Sequence, residues 1–332
     1  MSDYFDLMDD DEDVGGLREQ PDLETTLMAL ESNTEGTANA TVFYGLSNLT
    51  ESDMPRVREV WYGLPLEYRQ KLLHQLVDVS ETNFELDYRS LAFMALADED
   101  AESRATAIEL LWEDESLELM DRLIEMAQWD EAVQVRAGSA SALGRFILLG
   151  ELGDLPEQET VRAQDVVVSL LTDADEDVEV RRRALEAIAN CGHEIVTEAI
   201  EEAFDSDDPR MQASAVFAMG RTCDNRWNKF VLREISNPDP AVRYEAARAS
   251  GELEIEEAVP HLARLAQGRD REIKEVAIWS LGEIGGSYAL RVLGSLADEA
   301  EKNDDEDLLE AIDEAIGNAS LAGRDMDFDL DD

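Results

Sequence analysis

The chain is poor in residues on which several kinds of protein depend. Of 332 residues two are cysteine, three histidine and four lysine, and 28 basic residues face 78 acidic ones, giving a formal net charge of −50. Two cysteines, Cys191 and Cys223, cannot build a disulfide framework. So few basic groups make a poor phosphate-binding surface, because nucleic-acid affinity rests on basic side chains that displace counterions. The same charge repels an anionic membrane leaflet. No uninterrupted apolar run approaches the ~18 residues of a membrane span. The acidic opening MSDYFDLMDDDED is unlike the basic start of a secretory signal. These absences predict a soluble cytoplasmic protein that binds neither nucleic acid nor membrane.

What is present is apolar material, 44% of the residues, enough for a folded body. Both ends combine closely spaced acids with isolated apolar groups: Tyr4, Phe5, Leu7 and Met8 at one end, Met326, Phe328 and Leu330 at the other. Such segments bury too little surface to offset chain entropy, so residues 1–21 and 321–332 are expected to be disordered acidic tails. They serve solubility or act as short docking motifs; the sequence leaves both open.

Between the tails the chain repeats. VQVRAGSASALGRF (133–146), VEVRRRALEAIANC (178–191), PRMQASAVFAMGRT (209–222), PAVRYEAARASGEL (240–253) and REIKEVAIWSLGEI (271–284) align. The residue after the first apolar anchor is Arg136, Arg181, Gln212, Arg243 or Lys274, with a last spacing of 31 residues repeated three times and a first of 45. Small and apolar positions such as Val242, Ala246, Ala249 and Leu253 fall on one helical face. A second amphipathic run precedes each such helix, as in 117–127, 163–173, 195–204, 228–235, 258–266 and 288–297. Turns rich in Asp and Pro, DSDDP and SNPDP, supply helix caps and first-turn proline. Each unit is therefore a helical hairpin that buries its apolar stripe by stacking on its neighbours. ESRATAIELLW (102–112) and DLLEAIDEAIGNAS (307–320) extend the array over 102–320. Less regular helical patterns at 22–31, 38–49, 54–62, 65–79 and 84–97 make residues 22–101 an irregular cap of degenerate repeats. The extra length around Leu149–Thr160 reads as a surface loop.

The pattern of Asp-Pro, apolar anchor, Arg and an Ala-rich helix ending in Leu-Gly or Met-Gly resembles HEAT repeats, particularly the short type of the phycobilisome lyases. The resemblance is clear over 102–320 and fainter over 50–101; Thr82–Asp98 and Ala215–Arg221 also resemble bacterial HEAT-repeat proteins. It implies an all-α, right-handed α-solenoid whose second helices line a concave side. Proteins of this architecture include scaffolds, bilin lyases, deoxyhypusine hydroxylases and DNA glycosylases, so residues must choose among them.

A di-iron hydroxylase needs several His-Glu pairs. This chain has one, His193-Glu194, besides His74 and His261. A glycosylase needs a basic groove, against the prevailing charge. No phosphate loop, Cys-x-x-Cys pair or nucleophile elbow occurs. Both cysteines read as small apolar packing groups, and His193 as a solvent-side turn residue. No metal, cofactor or catalytic residue is expected. A lyase-related enzyme or chaperone stays as the alternative to a monomeric, non-catalytic scaffold that binds a protein or peptide.

The repeat register indicates where such a partner would sit. Six residues after the anchor stand Glu186, Phe217, Arg248 and Trp279; two after it, Arg182, Ala213, Tyr244 and Glu275; ten after it, Asn190, Arg221, Glu252 and Glu283. Arg182, Phe217, Arg221, Tyr244, Arg248 and Trp279 are accordingly the candidate partner-binding residues, being of the types that anchor interfaces, with Arg248 placed to stack over a ring. Arg136, Arg181 and Arg243 are expected instead to pair with turn acids of the neighbouring unit. The acidic aromatic tails could themselves occupy the Arg-bearing face.

Overall fold

A computed structural model describes residues 20–32 and 38–322, the last two by backbone only. Of the segments read as acidic tails, residues 1–19 and 323–332 lie outside the described residues. Among the described residues there is no β-strand, and no helix is long and apolar enough to cross a membrane. The chain divides into two compact units, Met1–Ala142 and Leu143–Asp332.

The first unit contains α1 (Leu23–Ser32), α2 (Ala40–Leu46), α3 (Met54–Gly63), α4 (Leu66–Thr82), α5 (Arg89–Ala95), α6 (Ala101–Leu110), α7 (Leu117–Trp129) and the start of α8 (Val133–Leu152). Its core gathers Trp61, Leu72, Leu73, Leu76, Leu91, Leu119 and Leu123, all fully buried. Two helices are shorter than the periodicity suggests. The side chain of Asn39 caps α2 by accepting from Val42 N, and Asn48 ends that segment at φ 54°. Residues 83–88 turn before α5, where the buried Tyr88 hydroxyl donates to the Phe43 carbonyl at 3.1 Å.

The second unit continues α8 and adds α9 (Glu157–Thr172), α10 (Val178–Ile188), α11 (Val196–Phe204), α12 (Pro209–Arg221), α13 (Asn228–Glu234), α14 (Pro240–Glu252), α15 (Val259–Leu265), α16 (Arg271–Ile284), α17 (Gly286–Lys302) and α18 (Glu306–Ala322). The second helices form one continuous row, α10 on α12, α12 on α14, α14 on α16 and α16 on α18, while the first helices α11, α13 and α15 each pack on their own second helix. This is the all-α solenoid arrangement of stacked hairpins.

Local chemistry repeats with the same period. Asp177, Asp208, Asp239 and Asp270 each cap a second helix, accepting from Glu179 N, Arg210 N, Ala241 N and Ile273 N at 2.8, 2.9, 2.8 and 3.3 Å. These carboxylates satisfy otherwise orphan donors and oppose the positive helix end. At the other end, Cys223, Glu254 and Gly285 take positive φ, at 51°, 50° and 63°, which breaks the helical run and releases the chain sideways.

Close approach within the row depends on glycine at Gly251 and Gly282. A Cβ on Gly251 would lie 2.9 Å from Ser280 Cα, and one on Gly282 2.9 Å from Ala315 Cα. Valine at position 251 would press on backbone that cannot move aside locally. Gly251→Val is expected to cost about 2–3 kcal/mol by overpacking, read from urea unfolding; a cost near zero would mean that the row is loosely stacked.

Two expectations are corrected. Arg181 and Arg243 form no ion pair with a turn acid of the neighbouring unit among the described residues; the side chains after the anchor bind carbonyls of their own hairpin's preceding segment. Arg136 Nη1 donates to Asp130 O and Glu131 O, Arg243 Nη1 to Asn237 O and Pro238 O, Arg181 Nε to Leu171 O, and Gln212 Nε2 does the same with Ser206 O at 2.6 Å. Five or more residues of spacing bring the long side chain back over the carbonyls that the turn leaves unpaired, which explains why glutamine serves at one position. The extra length at Leu149–Thr160 is not a loop. It lengthens α8 to 20 residues and α9 to 16, leaving a short link around Gly153, at φ 84°.

Candidate functional site

The Asp caps fix the helix register, so residues at equal distance from the anchor form rows across α10, α12, α14 and α16. The structure brings three of the six candidates into one cluster. Phe217, half-buried on α12, lies between two guanidiniums, Arg221 on its own helix at 5.3 Å from the ring centroid and Arg248 of α14 at 4.9 Å. Both cations converge on Glu252, Arg248 Nε at 3.2 Å and Arg221 Nε at 3.6 Å from Oε1. Gly220 makes room for this carboxylate, since a Cβ there would stand 2.2 Å from Glu252 Oε2. Burial raises the Glu252 pKa, and the two arginines pull it back down.

Arg248 also joins the next group. With Tyr244, Glu272, Glu275, Val276 and Trp279 it lines a groove of about 460 Å³ between α14 and α16. Trp279 is 39% exposed, a large ring on the surface of a helix that buries Ile273, Val276, Ala277, Ile278 and Leu281. Arg182 joins neither group. It is held by Glu179 at 2.8 Å and Glu186 at 3.0 Å and donates to Ser214 Oγ at 3.2 Å, so its charge serves the α10–α12 contact.

One carboxylate of this face was not among the candidates. Glu245 sits three residues after the anchor, where the neighbouring repeats put the buried Ser214 and Val276. Its Oε2 is buried without a hydrogen-bond partner among the described residues. Burial pushes its carboxyl up to about 7, the charges of Glu186 and Glu252 push the same way, and Arg248 and Arg221 oppose them. The signal in the sequence was a carboxylate between the small Ser214 and the apolar Val276 of the two adjoining repeats.

A second, polar pocket of about 340 Å³ opens at the turns after α10 and α12, with Cys191, His193, Arg221, Asp224 and Trp227 among its walls. The Cys191 thiol is buried, and burial raises its pKa, holding it in the unreactive protonated form. His193 Nδ1 accepts from Ile195 N at 3.3 Å. Cys223 is exposed, which corrects the expectation that both cysteines pack inside: it occupies the left-handed stop after α12 rather than a core position. His74 contacts Glu102 at 3.3 Å and His261 contacts Arg264 at 2.9 Å, each at the surface. Among the described residues no three or more His, Cys, Asp or Glu side chains are grouped to hold a metal ion.

Two protein-family models match this chain: HEAT repeats over residues 228–313 and the PBS lyase HEAT-like repeat over residues 180–206. Over these residues the chain carries HEAT repeats. Its groove and arginine cluster lie within or between these two matches. Among solved structures it is similar to the CpcE–CpcF complex of phycocyanin lyase from Nostoc, at 18% identity and TM-score 0.46, covering 70% of this chain and 94% of that one. Human deoxyhypusine hydroxylase is similar at 17% identity and TM-score 0.36, over 78% of this chain and 92% of that one. Importin beta is similar at 14% identity and TM-score 0.44, over 84% of this chain and 44% of that one. No curated protein matches the sequence.

Proposed function

We propose that this HEAT-repeat protein is a non-catalytic scaffold or adaptor that binds a protein partner across α12, α14 and α16. The observation that carries the reading is the groove beside Trp279: a large exposed ring, a half-buried Tyr244 and the Arg248–Phe217 pair follow one another over three successive hairpins. Aromatic and arginine side chains concentrate binding energy at interfaces because they bury large areas with little loss of freedom. The helices beneath are locked by caps and glycine contacts, so little further ordering is needed on binding. A cytoplasmic, monomeric protein fits this reading.

Affinity capture from the native host, with bound proteins identified by mass spectrometry, tests it. Wild type should retain a partner that the combined variant Phe217→Ala, Arg248→Ala, Trp279→Ala loses by more than tenfold. Trp279→Ala alone, at an exposed position, should also weaken capture while melting like wild type. Retention of every partner by both variants would refute the reading.

A second reading, an enzyme or chaperone related to bilin lyases, is favoured by the PBS lyase HEAT-like match over 180–206, which contains the Cys191–His193 wall of the polar pocket. Protein purified from its host would then carry a visible absorbance band or turn over a pigment, and Cys191→Ser would abolish it.

A further inference from the structure

We propose that the groove between α14 and α16 receives an arginine or lysine side chain, so that the partner presents a basic segment. This rests on the docking reading above and specifies the chemistry of its occupant. The groove's one cation is already satisfied. Arg248 pairs with Glu252 at 3.2 Å, a carboxylate it shares with Arg221, and lies over Phe217 on the α12 side. What remains facing the groove is two aromatic rings, Tyr244 and Trp279, and two carboxylates, Glu272 and Glu275.

Glu272 is exposed and has no ion-pair partner among the described residues. Glu275 meets Arg271 at 2.7 Å, but both side chains are well exposed, at 45% and 63%. Such surface pairs contribute little and exchange readily. Aromatic rings flanked by the unpaired Glu272 and the readily exchanged Glu275 attract a cation twice, through the ring quadrupole and through charge. The volume, about 460 Å³, falls in the usual range of roughly 300–1,000 Å³ for small-ligand clefts, enough for one long side chain and its flanking backbone. The net charge of −50 acts in the same direction, since a strongly negative field raises the encounter rate of cationic partners. An acidic occupant, this chain's own tails included, would have to approach Glu272 and Glu275 against repulsion.

The net charge draws any polycation, so the test must separate placement from field. A fluorescent peptide carrying two arginines and two lysines among glycine and serine is titrated against the full chain by anisotropy, at ~0.3 M salt to screen long-range attraction. Trp279→Ala is expected to weaken binding about tenfold and Trp279→Phe to restore most of it, and the double variant Glu272→Gln/Glu275→Gln is expected to weaken it about tenfold. The control Glu299→Gln/Glu301→Gln removes the same charge from exposed positions on α17 and should change affinity less than about twofold. Equal losses in the two double variants would reduce the attraction to the general field and overturn the proposal. Tighter, Trp279-dependent binding of an acidic peptide with the sequence Asp325–Asp332 would overturn it too, while leaving the docking reading in place. Binding of neither peptide would also overturn it, and the docking reading would then stand or fall by the capture experiment.

Discussion

Replacing Glu245 by glutamine is expected to stabilise the second unit at pH 8 by about 3 kcal/mol and to leave its stability unchanged at pH 4. Glu245 occupies a position that the two adjoining hairpins fill with the buried Ser214 and Val276, and its buried Oε2 lacks a partner among the described residues. The folded carboxyl titrates at about 7 against 4.5 for the unconstrained group. An acid whose pKa rises on folding binds its proton more tightly in the native state. Native stability is therefore full below the unfolded value of 4.5 and is lost as pH climbs through about 7. Glutamine keeps the shape and never ionises, so the variant escapes that loss.

Carboxylates elsewhere, among them Asp208 and Asp224, have lowered values and titrate in acid in both proteins, so they cancel in the difference. Thermal melts of both proteins from pH 4 to pH 8 would show the curves diverging between about 4.5 and 7, by roughly 6–12 °C at the top for a unit of this size. Parallel curves would mean that Glu245 reaches solvent or a partner when ionised.

Asp130→Ala is expected to destabilise the first unit by a similar amount, about 3 kcal/mol. Arg104 and Asp130 form a bidentate pair at 2.8 and 2.7 Å, with both side chains only about a tenth exposed. The third guanidinium nitrogen, Nη1, donates to the carbonyls of Asp98 and Glu99 at 2.9 and 3.0 Å. Arg104 is thus held at the turn before its own helix, as Arg136 and Arg243 are, and also reaches the turn acid ahead of α8. Deleting the carboxylate leaves a buried cation with two bonds unmade and removes the acceptor for Ala132 N at 2.9 Å. Breaking one side of a buried pair costs several kcal/mol because the remaining charge has lost its solvent and its partner. The two carbonyl bonds survive, which holds the figure at the lower end. Urea unfolding with exchange measured on α6 and α7 would read the effect; a loss below about 1 kcal/mol would show that water replaces Asp130 freely.

Most of the solenoid was legible because its signals recur. Four Asp caps, the anchor column and the small residues at Gly251 and Gly282 each repeat at one spacing, so errors at a single hairpin are outvoted by the others. The stacking of Arg248 on the ring of Phe217 followed from that register. The row position of Arg182 followed as well, yet its side chain turned out to be spent on Glu179, Glu186 and Ser214. A row specifies where a Cα sits and leaves a long side chain several ångströms of choice.

The same freedom explains Arg181 and Arg243, which fold back on nearby carbonyls; spacing alone does not distinguish that from an outward reach. Helix extension at Leu149–Thr160 was hidden because acidic, glycine-bearing stretches look like loops until α8 and α9 are seen to continue through them. Glu272 drew no attention among 78 acids, and Glu275 stood in its row without becoming a candidate. Only their place beside Tyr244 and Trp279 distinguishes them.

The docking face is tested most directly by amide hydrogen exchange on the protein alone and in complex with the partner recovered from its host. Slowed exchange confined to α12, α14 and α16, centred on Tyr244–Arg248 and Val276–Trp279, is the predicted result. Protection at the Cys191–Thr197 turn or in the first unit, with those three helices unchanged, would contradict the account.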